Sequence, residues 1–280
     1  MQELAYMNGT IMPIDEAKVP IEDRGYNFGD AVYEYIASYQ GKLVYLEEHL
    51  DRLDRSMTAL SFPKMSRDMI RRAILELFEQ SGIQRAGIYL QISRGVAPRD
   101  HAYPDDPQPQ FMMTVRPVHE KPPEFRHNGA TAITLTDLRW GRCDIKTVQL
   151  LANAMAKQQA LEAGVFDAIF VSESGIVREA TSSNVIIAND GRLITHPLTE
   201  QILPGITRQV ILDICAERDL PAEERFFDVD TLYAADEVFL TGTVTEVLPI
   251  VAIDGRTIGD GKVGQMARKL SRALLESVGA

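Results

Sequence analysis

The chain has 280 residues, 45% of them apolar and 25% charged, which supports a sizeable core in one large or two medium domains and excludes a disordered chain. Its formal net charge of −11 argues against a general nucleic-acid binder and against a polybasic membrane contact, but leaves room for a few local cations that bind an anionic small molecule. The two cysteines, Cys143 and Cys215, have neither metal nor redox spacing and read as reduced thiols.

The first stretch, "MQELAYMNGTIMPIDEAKVP", lacks a basic start followed by an apolar core, and no later run approaches a membrane span. A cytoplasmic protein without a membrane contact is expected. "AVYEYIASYQGKLVYLEEHLDRL" reads as a hairpin turning at "QGK" and feeding a helix with Leu50, Leu53, Met57 and Leu60 at helical spacing. A second helix is predicted from about Ser66, with Ile70, Ile74, Leu77 and Phe78 on one face and a stop at "SGI". "RAGIYLQISRG" and "QFMMTVRPV" are strands flanking a proline-rich loop. Prolines at 117, 122 and 123 mark a linker. The expected division is a small domain over 1–117, a linker over 118–125 and a larger domain over 126–280.

Beyond the linker, "ATAITLTDL" is a strand. The stretch "RWGRCDIKTVQLLANAMAKQQALEAG" then runs into a helix, in which Val148, Leu151, Met155 and Ala156 suit a buried stripe and Gly164 a C-terminal cap. "DAIFVSESGIVREATSSNVIIANDGRLITHP" is a β-meander with turns at "SESG" and "NDG". "PGITRQVILDICAERDL" is a turn entering a helix, "EVFLTGTVTEVLPIVAIDGRTI" returns to strands, and a last helix closes the chain. Strands and helices mix without regular βαβ alternation, which predicts an α+β fold. "GDGKVG" at 259–264 matches a dinucleotide-binding pattern, but too little chain follows for a βαβ unit, so it reads as a loop entering the last helix.

Lys146 is the first candidate for chemistry. A lone lysine at a loop–helix junction is ordinarily a solvated surface residue. The apolar neighbours on its helix side point the other way. Burial and a helix N-terminus both disfavour the ammonium form, and a lysine held near neutrality is a nucleophilic amine able to form a Schiff base. Pyridoxal phosphate is the common aldehyde partner, and it needs a phosphate cradle and an anion at its ring nitrogen. Gly205, Ile206 and Thr207 in "LPGITRQV" offer a helix start, and Gly242 and Thr243 in "LTGTVTE" a second set of donors, although such turns also begin ordinary helices. Arg52 could supply a charge, or could be a solvated residue paired with Glu48 at i−4. Glu179 in "GIVREATSSN" is the anion candidate, or an exposed strand carboxylate.

Together these residues resemble a family. "EDRGYNFGDAVYE", "EEHLDRL", "RGVAPRDHAYP", "RWGRCDIK", "EATSSN", "PGITR" and "DGKVG" follow one another as they do in the fold-type IV pyridoxal-phosphate enzymes, most closely in their D-amino acid aminotransferase branch. The likeness covers nearly the whole chain. It implies a small α/β domain, a larger β-barrel-like domain, a cofactor between them and a homodimer. It also implies that Lys146 attaches the cofactor and moves the substrate proton. Arg52 and the Ile206–Thr207 turn at Gly205 would hold the phosphate, with Gly242 and Thr243 assisting. Glu179 would face the ring nitrogen, Leu203 would pack on the ring, and Ser182 would lie near the cofactor. Tyr33, Arg99 and His101 would trap the substrate carboxylate, the Arg99 loop being donated by the partner subunit. The reaction implied is transamination between D-alanine, D-glutamate or D-aspartate and a 2-oxo acid such as 2-oxoglutarate or pyruvate, with no metal.

Two positions depart from the pattern of that branch. Tyr35 replaces a small aliphatic residue and would line the side-chain pocket with Tyr33. Gly242 replaces a serine. On the same fold, a branched-chain L-amino acid aminotransferase or an (R)-amine aminotransferase is the alternative, and a non-catalytic dimeric binding protein is a different class. The pairing of Arg99 with His101 favours the D-amino acid reading, and Lys146 with Glu179 favours an enzyme.

Overall fold

The computed structural model describes residues 2–122 and 124–279; Pro123, one of the linker prolines, lies outside them. The chain divides into two compact units. The first comprises Met1–His119 and Ile145–Gln149, the second Glu120–Asp144 and Leu150–Ala280.

The first unit contains β1 (Leu4–Met7), β2 (Thr10–Pro13), α1 (Arg24–Phe28), β3 (Ala31–Tyr39), β4 (Lys42–Leu43), α2 (Leu46–Ala59), α3 (Arg67–Ser81), β5 (Ala86–Ser93) and β6 (Gln110–Pro117). Its strands form one antiparallel sheet in the order β2-β1-β6-β5-β3-β4. The predicted apolar stripes form its core: Leu50, Leu53 and Met57 of α2 and Ile70, Ile74 and Leu77 of α3 pack with Val32, Ile36, Ile88 and Leu90 of the sheet. Ser66 caps α3, its hydroxyl accepting from Met69 N, and Gly82 ends the helix in the left-handed region. Strand alternation divides β3. Val32, Glu34 and Ile36 are fully buried, whereas Tyr33 and Tyr35 are half-buried on the opposite face.

Ile145–Gln149 runs along the edge of β3. Val32 pairs with Thr147, Tyr33 N donates to Lys146 O at 2.9 Å, and Val148 N donates to Ala31 O at 3.2 Å. Ile145 joins the core and Thr147 is buried. Burial of these two neighbours fixes the backbone of Lys146.

The second unit contains α4 (Glu124–Asn128), β7 (Ala130–Thr136), α5 (Leu151–Glu162), β8 (Asp167–Val171), β9 (Val177–Ala180), β10 (Asn184–Asn189), β11 (Arg192–Thr195), α6 (Ile206–Glu217), β12 (Ala222–Glu224), α7 (Val229–Tyr233), β13 (Glu237–Gly242), β14 (Glu246–Ile253), β15 (Arg256–Thr257) and α8 (Gln265–Ser277). Its strands run β12-β11-β10-β13-β14-β7-β8-β9, and β9 returns to β10 through the pair Glu179↔Asn184. Six strands thereby close on themselves, giving the barrel-like sheet of an α+β fold. Both faces of β10 are buried. Val185 and Ile187 enter one apolar cluster, while Ile186 and Ala188 pack with Ile211 and Cys215 of α6 and Leu270 of α8 in another. The run "VIIA" is continuous for that reason. No helix among the described residues is long and apolar enough to cross a membrane.

Two details of the helix after Lys146 correct the sequence reading. α5 starts at Leu151, with Thr147–Leu150 lying between it and Lys146. The favourable and unfavourable effects of a helix end fade within one turn, so the helix-terminus argument for Lys146 fails. The buried stripe is also different. Ala156 and Ala160 pack on Ala168 and Phe170, whereas Leu151 is 76% and Met155 53% exposed. Small side chains let this helix lie close to β8, which turns its larger apolar residues outward. The "GDGKVG" stretch does enter α8. A Cβ on Gly264 would lie 2.0 Å from the Glu237 carboxyl carbon, and the Glu237 carboxylate accepts from Met266 N and Ala267 N, each at 2.8 Å. The glycine makes room for an internal anion that satisfies this helix start.

Candidate active site

In the first unit Lys146 is half-buried. Its Nζ lies 4.2 Å from the centre of the Tyr33 ring. Its backbone N donates to Ser56 Oγ at 3.2 Å, so the main chain is held on both sides of the residue while the side chain has no carboxylate partner among the described residues. With no carboxylate on it, the Nζ is left open to an external partner.

Arg52 is buried, not solvated, and its carboxylate is Glu34 on the core face of β3. Arg52 Nε donates to Glu34 Oε1 at 2.7 Å and Nη2 to Oε2 at 2.7 Å, while His49 Nδ1 lies 2.7 Å from Oε2. Burial pushes the Glu34 carboxyl up, but Arg52 and His49 outweigh it and hold it well below the usual carboxylate range. Burial, opposed by Glu34, leaves the His49 imidazole below its ordinary value. A neutral His49 then donates from Nδ1. The bidentate carboxylate fixes the plane of the Arg52 guanidinium.

This triad predicts a specific stability loss. Glu34→Gln leaves a buried guanidinium without its anion and should destabilise the protein by about 3–5 kcal/mol, measured by denaturant unfolding. Glu34 contributes stability that is present above its unfolded value of 4.5 and lost as pH falls toward its lower folded value. His49 has the same sign below 6.5, because the unfolded chain takes up the proton more readily. Thermal midpoints should therefore fall from mildly acidic pH downward, and the part below pH 4.5 should be weaker in Glu34→Gln. An unchanged acid profile would assign that loss to other groups.

Tyr33 and Tyr35 share the other face of β3 with Tyr89 of β5. The Tyr33 and Tyr89 ring centroids are 5.6 Å apart, and Tyr89 Oη donates to Gln91 Oε1 at 2.7 Å. Burial pushes the Tyr89 phenol up to about 12, so it stays protonated as a donor. The Tyr35 ring crosses β5 at Gly87, where an added Cβ would lie 1.8 Å from its hydroxyl oxygen. Arg99 and His101 are both exposed on the long loop between β5 and β6. Phe28 lies against both, 5.1 Å from Arg99 Cζ and 5.6 Å from the His101 ring. No carboxylate pairs with Arg99 among the described residues, which leaves its guanidinium available to an external anion.

In the second unit Glu179 is buried at the pair that closes the barrel, so the exposed-carboxylate alternative is excluded. Its Oε2 accepts from Asn184 Nδ2 at 3.1 Å and from Leu203 N at 3.0 Å, and its Oε1 accepts from Arg139 Nη1. Arg139 in turn donates from Nε and Nη2 to Asp137, at 3.0 and 2.8 Å. Burial holds the Glu179 carboxyl above its ordinary value, although Arg139 and the Leu203 N–H pull against it. Asn184 also donates to Leu203 O at 2.9 Å. A Cβ on Gly205 would lie 2.0 Å from Asn184 Oδ1. One asparagine thus ties Glu179, Leu203 and the Gly205 turn together.

Gly205 is the N-cap of α6, and no side chain caps that helix. Ile206 and Thr207 are buried in its first turn. Unlike α8, this helix start holds no internal carboxylate cap among the described residues, and it fits an external phosphate. Across the β13–β14 turn, Ser183 Oγ donates to Thr245 Oγ1 at 3.0 Å, and Gly242 lies beside Ser182 and Ser183. A Cβ on Gly242 would meet Ser183 Oγ at 3.4 Å, so the serine expected there would meet ordinary contacts. Ser182 is exposed and Thr243 half-buried. The open helix start and the buried carboxylate of the second unit, and the half-buried lysine of the first, are each of a residue type that pyridoxal phosphate requires.

Sequence reading missed Glu34, His49, Tyr89, Arg139 and Asn184. Glu34 carried a signal, because a carboxylate in strand register with Val32 and Ile36 needs a buried partner. Arg139 lies within a quoted motif, but nothing local joins it to Glu179.

The amino-transferase class IV family model matches residues 31–253. The D-alanine aminotransferase of Bacillus licheniformis is 44% identical over 272 residues, 97% of this chain and 95% of its own. That of Staphylococcus haemolyticus is 42% identical over 266 residues, 95% of this chain and 94% of its own. Among solved structures, the branched-chain amino acid aminotransferase from Thermobaculum terrenum in its PLP form matches with a TM-score of 0.85 at 27% identity, over 98% of this chain and 93% of that one. The Escherichia coli branched-chain amino acid aminotransferase matches with a TM-score of 0.92 at 24% identity, over 99% and 94%, a likeness of fold alone.

Proposed function

The chain belongs to the class IV aminotransferases, and from that membership we propose that it exchanges amino groups between D-amino acids, D-alanine first, and 2-oxo acids, with pyridoxal 5′-phosphate as cofactor. The observation that carries the D-amino acid reading is the identity of 44% and 42% to D-alanine aminotransferases over almost the whole chain. When bound, the cofactor supplies an aldehyde for the amine and a ring that takes up electron density from the substrate carbon. Lys146 would hold it covalently, and the Lys146 Nζ would move the substrate proton. Arg52, the first-turn N–H groups of Ile206 and Thr207 after Gly205, and Thr243 beside Gly242 bind the phosphate. Glu179 keeps the ring nitrogen protonated, Leu203 covers the ring, and Ser182 contributes a hydroxyl. Tyr33, Arg99 and His101 bind the substrate carboxylate, and Tyr35 limits the side chain. The enzyme works in the cytoplasm as a homodimer, each subunit lending its Arg99 loop to the other.

Binding the carboxylate on one side of the cofactor decides which enantiomer presents its α-hydrogen to Lys146. With 2-oxoglutarate as acceptor, D-alanine should outpace L-leucine by a wide margin. Arg99→Ala should lower kcat/KM for D-alanine by roughly 10–150-fold, mainly through KM, the scale of one lost charge-assisted contact, and should affect amines without a carboxylate far less. If L-leucine is the faster donor, the branched-chain reading replaces this one.

A further inference from the structure

Arg24, the first residue of α1, is only 3% exposed, and each of its three guanidinium nitrogens donates. Nε donates to Asp30 Oδ2 at 2.8 Å. Nη1 donates to the carbonyl oxygens of Asp100 at 2.7 Å and Ala102 at 3.1 Å, and Nη2 to that of His101 at 3.3 Å. Three consecutive carbonyls, all beside Arg99, therefore converge on one buried cation. Asp30 is shared between that cation and a second one, its Oδ2 also accepting from Arg94 Nε at 2.8 Å. Arg94 is itself buried, and its Cζ lies 3.5 Å from the centre of the Tyr103 ring. Phe28, at the other end of α1, lies 4.7 Å from Arg24 Cζ and also meets Arg99 and His101.

The loop between β5 and β6 is tied at its start by the Asp23–Val96 bridge, with Arg24 N donating to Gly95 O and Ala97 N to Glu22 O, but residues 98–109 have no backbone pairing among the described residues, and such segments are ordinarily mobile. We infer that Arg24, anchored by Asp30, is the positioning residue of the carboxylate receptor: it fixes the backbone of residues 100–102 so that Arg99 and His101 meet a substrate carboxylate as a preformed pair. The inference rests on the carboxylate-binding reading of those two residues. A planar fork can reach an anion and three carbonyls together, which the point charge of a lysine cannot. Preordering the receptor removes an entropy cost from binding. A carboxylate is gripped equally in the ground state and the transition state, so loosening the receptor raises KM and leaves kcat nearly intact.

The test uses the purified holoenzyme with Arg24→Lys, which keeps the charge, beside Arg99→Ala. In Arg24→Lys the KM for D-alanine should rise about tenfold, the scale of one lost charge-assisted hydrogen bond, with kcat little changed. Hydrogen exchange of a peptide spanning residues 99–103 should quicken in the same variant while exchange elsewhere stays as in wild type. If Arg99→Ala raises KM but Arg24→Lys has wild-type KM and wild-type exchange, the positioning role is wrong. If Arg99→Ala leaves KM unchanged, the receptor reading itself falls, and the role of Arg24 with it. Should Arg24→Lys not fold, Tyr103→Leu removes the ring on Arg94 from an exposed position; it should quicken exchange in the same peptide, and wild-type exchange there overturns the proposal.

Discussion

Lys146→Ala will fold and bind pyridoxal phosphate but will lose transamination, and borohydride will no longer fix the cofactor to the chain. In the wild-type protein the same reduction should label the peptide containing Lys146. Folding persists because the backbone holds this position: Lys146 N meets Ser56 Oγ, and Lys146 O meets Tyr33 N, contacts that alanine keeps. The side chain adds its contact with the Tyr33 ring and no ion pair among the described residues. Losing the group proposed to attach the cofactor and move the proton should lower kcat by at least about 100- to 10,000-fold, the range of a positioned acid–base group. Fixed-time assays with D-alanine and 2-oxoglutarate, together with mass spectrometry of the reduced peptide, read both parts. A label on a different lysine would remove Lys146 from the chemistry.

Glu179→Gln should have the next largest effect. Its surroundings show why the substitution separates charge from structure. Arg139 keeps both of its bonds to Asp137, so the guanidinium is not orphaned. Leu203 N and Asn184 Nδ2 can still donate to the glutamine oxygen. The glutamine NH2 then faces Arg139 Nη1, donor against donor, which should cost about 1–3 kcal/mol, but the fold should survive because Asp137 still pairs with Arg139. What disappears is the anion that favours a protonated ring nitrogen. Loss of one preorganised electrostatic partner typically lowers the rate by about 100- to 1,000-fold, and the half-reaction with D-alanine, followed in a single turnover, should fall by that order. A half-reaction rate near wild type in a folded variant would mean that another group sets the charge of the ring.

Sequence by itself determined the elements whose signals are local. The stripes of α2 and α3 repeat within a few residues, as do the alternation of β3 and the caps at Ser66 and Gly82, and each was legible before any fold was known. The motif order carried family membership and, with it, Lys146, Arg52 and Glu179 as candidates, because the spacing of such motifs along a chain is itself a one-dimensional signal. What those residues touch was decided elsewhere. Arg52 looked toward Glu48 on its own helix but pairs with Glu34, 18 residues away in β3. Glu179 is held by Arg139 from 40 residues away, and Arg24 binds the Asp100 carbonyl 76 residues further on. The α5 stripe was misread because alanines, which carry little periodic signal, form the buried face on β8. Pairings of this kind arise from strand register and barrel closure. A residue's type and neighbours do not encode which distant backbone will be brought beside it, so only the tertiary structure could say which charges are neutralised internally and which remain for a ligand.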